Sequence, residues 1–152
     1  MSIEERLAQA GITLPAAPSP VANYVPYVEA GGLLFVSGQV SAGPEGLIKG
    51  RLGDDMGAEA GAQAARACGL SLLAQAQKAL GSLDRVARVV KLTGFVASTP
   101  DFTDQPKVVN GASDLMVEVF GDAGRHSRAA VSAAALPLGA AVEVEAIFAI
   151  RD

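Results

Sequence analysis

The chain has 152 residues, half of them hydrophobic, with 17 glycines, no tryptophan and a formal net charge of −4. That length suits one domain with a sizeable core, and the acidic balance argues against a dedicated nucleic-acid binder, which usually carries a basic stripe. A single cysteine, Cys68, excludes an intrachain disulfide; no run approaches the roughly 18 apolar residues of a membrane helix, and Met1–Leu7 lacks a secretory signal's apolar core, so a cytoplasmic, membrane-free protein is expected.

Ser2-Ile3-Glu4-Glu5 has the spacing of a capping box and predicts a short helix to about Ala10, stopped at Gly11. Leu14-Pro15-Ala16-Ala17-Pro18-Ser19-Pro20 cannot continue a helix and is read as an extended arm. Residues 1–20 are therefore expected to be a helix and arm, and residues 21–152 one domain. Asn23–Glu29 and Leu33–Ser41 read as two strands joined at Gly31-Gly32. The second is apolar on both faces, which predicts a central strand. Residues 42–56 are rich in glycine and charge and read as a loop. Gly43-Pro44-Glu45-Gly46 within it is a turn and lacks phosphate-loop spacing.

Gly57–Leu80 is the longest helical stretch, with Gly61, Ala65, Cys68, Leu72 and Ala76 on one small-residue stripe and Gly81 as its stop. Cys68 on that stripe reads as a small core residue. Val86–Val96 alternates as a strand, and Arg85, Arg88 and Lys91 beside it read as a solvated face. Asp104 is placed to cap a second helix with Pro106 in its first turn. Val108, Ala112, Leu115 and Val119 form its buried stripe, and Gly121 closes it.

Two strands end the chain, one from His126 to Val131 and one from Val142 to Ile150, with Leu136-Pro137-Leu138-Gly139 between them. The last alternates: Val142, Val144, Ala146, Phe148 and Ile150 share one face, and Glu143, Glu145 and Ile147 the other. If the two strands pair as a hairpin, Arg128 and Glu143 approach one region of the sheet. An arginine among alanine, valine and serine needs a partner or a ligand. On spacing alone, a structural ion pair with Glu143 or Glu145 is the commoner reading, ahead of a binding role.

Ser37-Gly38-Gln39, Gln63-Ala64-Ala65-Arg66, Lys91-Leu92-Thr93-Gly94-Phe95-Val96, Asp101-Phe102 and Val109-Asn110 resemble the Rid (YjgF) family. Ser127-Arg128-Ala129-Ala130-Val131, Leu136-Pro137 and Val142-Glu143-Val144-Glu145-Ala146-Ile147 carry the strongest match. The resemblance covers residues 22–151, leaves the first twenty outside and suggests a longer bacterial branch. It implies an α+β, chorismate-mutase-like mixed sheet with two helices on one face, assembled as a homotrimer with ligand clefts between neighbours. The activity it implies is hydrolysis of reactive enamines and imines, such as 2-aminoacrylate, to 2-oxo acids and ammonia. The alternatives are a non-catalytic trimer binding small carboxylates at the same clefts and, disfavoured by the acidic balance, a ribonuclease.

Carried onto this sequence, the resemblance makes Arg128 the carboxylate-binding arginine and Glu143 the residue that positions water. Tyr24, Ser37, Gly38 and Asn110 fall at cleft positions. Ala130 stands where many members have cysteine, and Asn23 where proline often precedes the tyrosine. The chemistry is reasonable for these residues. A guanidinium matches a carboxylate with two parallel hydrogen bonds, and a carboxylate beside the imine carbon can take a proton from water. One histidine and one cysteine do not build a usual zinc site, so no metal or cofactor is expected. His126, a lone loop histidine, reads as structural or solvated.

Overall fold

A computed structural model describes residues 1–19 and 22–152. The first helix, α1 (Ile3–Gln9), forms where its capping box predicts. Ser2 Oγ accepts from Glu5 N, and the Glu5 carboxylate accepts from Ser2 N. α1 is bound to the domain. Leu7 is buried, and the Glu4 carboxylate accepts from Leu83 N at 2.8 Å, Ser82 Oγ at 2.7 Å and Gln77 Nε2 at 3.2 Å. The arm is irregular through Ser19, where Gln75 Nε2 donates to Pro18 O at 2.7 Å. Pro20 and the expected boundary between residues 20 and 21 lie outside the described residues.

Strands β1 (Tyr27–Ala30) and β2 (Leu33–Val40) form an antiparallel hairpin. Its turn is Gly31-Gly32, both at positive φ (60° and 77°), which glycine adopts without a Cβ clash. β3 (Ala42–Gly43) and β4 (Gly46–Leu47) make a small hairpin inside the predicted loop. Helix α2 (Ala58–Leu80) follows, then β5 (Val86–Ala97), helix α3 (Gln105–Phe120), β6 (Ser127–Ala133) and β7 (Val142–Ile150). Asp104 occupies the cap position of α3, but its side chain caps no amide; it lies 3.8 Å from Lys107 Nζ instead.

The main sheet runs β1-β2-β7-β5-β6. One expectation about the pairing is corrected here. β6 and β7 are not a hairpin: β6 runs parallel to β5, and β7 lies on the other side of β5, antiparallel to it. A parallel pair requires a crossover, and α3 supplies it. β2 lies inside the sheet as expected, flanked by β1 and β7, and β7 is the middle strand of the five. The second apolar face of β2 is left open, with Phe35 40% exposed. Both long helices lie on one face, where Leu72, Leu73, Leu92, Leu115, Met116, Val144 and Phe148 form a core closed to solvent.

The helices cross at small residues. A Cβ at Gly111 would meet the backbone of Ala62 on α2, its carbonyl carbon at 2.7 Å and its Cα at 3.1 Å. Backbone cannot rotate away as a side chain can. Gly111→Ala is expected to cost about 1–3 kcal/mol as α2 and α3 are forced apart. At Gly69 a Cβ would press on the end of a side chain, Leu115 Cδ2 at 2.9 Å, with Ala112 Cα at an ordinary contact distance of 3.5 Å, and Gly69→Ala should cost less. Denaturant midpoints for the two variants check the ranking; equal values would mean that the crossing yields freely.

Candidate functional site

The sheet register sorts the candidate residues into two groups. Val36 pairs with Ala146 and Gln39 with Val144, so Ser37 and Gly38 together oppose Glu145 alone. This two-against-one count is a β-bulge, which bends the strand and re-aims its side chains. Ser37 Oγ donates to Val25 O at 2.7 Å, and Ser37 N donates to Pro26 O at 2.9 Å. These bonds pin the segment carrying Tyr24 beside the bulge; Tyr24 itself is 55% exposed. A Cβ at Gly38 would overlap the Glu143 carboxylate, with Glu143 Cγ at 3.2 Å. Glycine at 38 is thus what lets that carboxylate lie over the bulge. Burial, with the neighbouring Glu145 charge adding to it, raises the Glu143 pKa above the ordinary glutamate value.

The second group lies on the other side of the sheet. Arg128 pairs with Leu92, whose side chain is buried under the helices. Glu143 pairs with Phe95, three residues further along β5 and therefore on the opposite face. Arg128 Nη1 donates to Asn110 Oδ1 at 2.7 Å and to Ser113 Oγ at 3.2 Å, both on α3. Among the described residues Arg128 forms no ion pair; the three present are Arg66–Glu118, Lys107–Asp104 and Arg125–Asp122. The ion-pair account of Arg128 with Glu143 or Glu145 therefore fails among the described residues.

Tyr24, Ser37, Gly38 and Glu143 thus share one region, and Asn110 and Arg128 another. Within one chain β5 separates β7 from β6, a backbone distance of about 10 Å at the usual strand spacing. Ala130 sits on the same face as Arg128, packed against the core.

Ser113 is a polar partner of Arg128 that sequence reasoning missed. Its position three residues after Asn110 puts it on the same helix face, and that spacing was the available signal. Its hydroxyl also lies 2.9 Å from His126 Nε2, while His126 Nδ1 lies 2.6 Å from Gly124 O. His126 is therefore half-buried and bonded rather than solvated. Ser113, Asp114, Val117, Arg125, His126 and Arg128 line an open depression of about 270 Å³. Cys68, its Sγ 3.4 Å from Val142 O, is buried in the core, and burial pushes its thiol pKa up.

Comparison with known proteins places these features in a family. Residues 4–150 match the model described as "YjgF/chorismate mutase-like, putative endoribonuclease". The match begins well before residue 22 and takes in most of α1. Protein TCP17 of Trypanosoma cruzi is 51% identical over 152 residues, covering 99% of this chain and 95% of the relative. A crystal structure from Shewanella oneidensis, named a "putative endoribonuclease", is 35% identical with a TM-score of 0.94, covering 98% of this chain and 99% of that one. Escherichia coli TdcF, solved with bound serine, is 25% identical with a TM-score of 0.62, covering 90% of this chain and 94% of that one.

Proposed function

The chain belongs to the YjgF/chorismate-mutase-like family, and we propose that it hydrolyses small enamines and imines bearing a carboxylate, releasing a 2-oxo acid and ammonia. One observation carries this reading. Arg128 is held by two neutral acceptors, Asn110 Oδ1 and Ser113 Oγ, and among the described residues no carboxylate forms an ion pair with it. A half-buried guanidinium fixed in this way is prepared for an anion from outside the chain. The bound serine of TdcF, a small amino acid with a carboxylate, is consistent with that kind of ligand.

In this reading the substrate carboxylate is gripped by Arg128, which orients the imine carbon. The Glu143 carboxylate accepts a proton from water as the water oxygen bonds to that carbon. The product is a carbinolamine. It forms as Glu143 returns that proton to the nitrogen; the hydroxyl proton then moves to the same nitrogen, the C–N bond breaks, and the ketone and ammonia leave. Asn110 orients Arg128. Tyr24, Ser37 and Gly38 wall the Glu143 side.

The two groups lie on opposite faces of one sheet, so a second copy is needed to bring the Glu143 face of one protomer to the Arg128 edge of another. We infer a homotrimer with three such clefts. Its support is the open sheet face, where Phe35 and Val131, 40% and 45% exposed, would otherwise remain in water. The same split favours one second reading, a trimer that grips small carboxylates through Arg128 without delivering water. The net charge of −4 argues for a small ligand over RNA.

The deciding experiment generates 2-iminopropanoate with an amino-acid oxidase and follows pyruvate formation with and without the protein. Acceleration above the spontaneous rate supports hydrolysis. Carboxylate-dependent thermal stabilisation without acceleration selects the second reading. A protein that sediments as a monomer would remove both.

A further inference from the structure

We propose that Ser113 and His126 are positioning residues that decide which edge of the Arg128 guanidinium is offered to a ligand, an inference that rests on the carboxylate-binding reading above. The hydrogen-bond chain can be followed atom by atom. Gly124 O can only accept, so His126 Nδ1, 2.6 Å away, carries a hydrogen and donates it. In a neutral ring Nε2 then has a lone pair, and it accepts the Ser113 hydroxyl hydrogen across 2.9 Å. With its hydrogen turned toward the imidazole, the Ser113 oxygen presents lone pairs to Arg128 Nη1, 3.2 Å away. The second hydrogen on Nη1 goes to Asn110 Oδ1, at 2.7 Å.

Both hydrogens of Nη1 are thereby used. Among the described residues neither Nε nor Nη2 of Arg128 has a hydrogen-bond partner. A carboxylate can be gripped with two parallel bonds end-on, through Nη1 and Nη2, or side-on, through Nε and Nη2. With Nη1 occupied, only the side-on edge remains. His126 thus reaches the ligand through Ser113 and Arg128 without touching it. Its ring is kept neutral chiefly by burial, and the positive charge of Arg128 lowers its pKa further below the ordinary value. The other charged groups around it are Asp114 of α3 and Arg125, next to it in the chain, both lining the same depression.

The test uses the full chain, with pyruvate as the carboxylate probe. His126 is the only histidine, so its ring nitrogens give one unambiguous set of ¹⁵N resonances. The Nδ1–H tautomer is expected at neutral pH, with or without pyruvate; the Nε2–H tautomer would overturn the proposal. Ser113→Ala is expected to raise the pyruvate Kd about five- to tenfold, the loss of one oriented hydrogen bond to a charged group. Ser113→Thr keeps the hydroxyl and should bind within twofold of the parent. Ser113→Ala binding within twofold, or Ala and Thr weakening binding equally, would also overturn it. Turnover of imines plays no part in these readouts. Binding that responds to Ser113 without hydrolysis removes the hydrolase reading alone. Hydrolysis that persists while Ser113→Ala leaves pyruvate binding unchanged removes this inference alone. A parent protein that fails to bind pyruvate removes both.

Discussion

Arg128→Ala is expected to lower kcat/KM for a 2-imino acid by about 10²–10⁴-fold, because two charge-assisted hydrogen bonds at roughly 1.5–3 kcal/mol each are lost together. Part of the loss should appear in kcat, since the same grip orients the imine carbon for attack. Arg128→Lys retains the charge but not the planar fork, and should recover only a fraction. Folding should change little, because Arg128 is half-buried and forms no ion pair among the described residues. Asn110 Oδ1 and Ser113 Oγ would turn to water. The variant hydrolysing imines as fast as the parent would end the proposed function.

Glu143→Gln is expected to cost about 10²–10⁴-fold in kcat, the usual contribution of a positioned general base. The pH dependence gives a second handle. The Glu143 pKa is raised by burial and by Glu145, so the acid limb of the parent's kcat/KM profile should fall above the ordinary glutamate value and vanish in the variant. Stability should move the other way. A carboxylate whose folded pKa is raised favours the fold while protonated, and that contribution is lost as pH rises through the folded value. Glutamine avoids the loss. At pH 7 the variant should therefore be as stable as the parent or more so, and a clear drop in its melting temperature would mark Glu143 as structural instead.

Local patterns place most elements within a residue or two, although the strand expected from Asn23 begins only at Tyr27. The capping box at Ser2–Glu5, the Gly31-Gly32 turn and the stripe from Gly61 to Ala76 each carry a short-range cause, and each appears where expected. The errors were of another kind. Alternation in β7 identifies which residues share a face, but not which strand lies beside it. Placing β5 between β6 and β7 depends on contacts far apart in sequence, which no local window contains. β2 shows the same limit: apolar residues on both faces place it between two strands, but do not reveal that its second face is open at Phe35.

The site was legible to the same degree. Arg128, Glu143, Asn110 and the Ser37-Gly38 pair could be named as candidates from residue types in a familiar order. Their division between two faces was not, because it follows from the parallel pairing of β6. Ser113 and His126 escaped because a serine in a helix and a histidine in a loop are ordinary; only the packing of α3 against β6 joins them.

β7 is also the last of the seven strands among the described residues. During synthesis on the ribosome, the β1–β2 hairpin and the β5–β6 pair emerge as two separate fragments with a strand-wide gap between them. The apolar faces of both long helices then have only half a platform to rest on. Folding should therefore be completed after β7 clears the exit tunnel rather than stepwise during translation. A frameshift that deletes β7 would remove the keystone of the sheet, leaving quality-control proteases an open substrate.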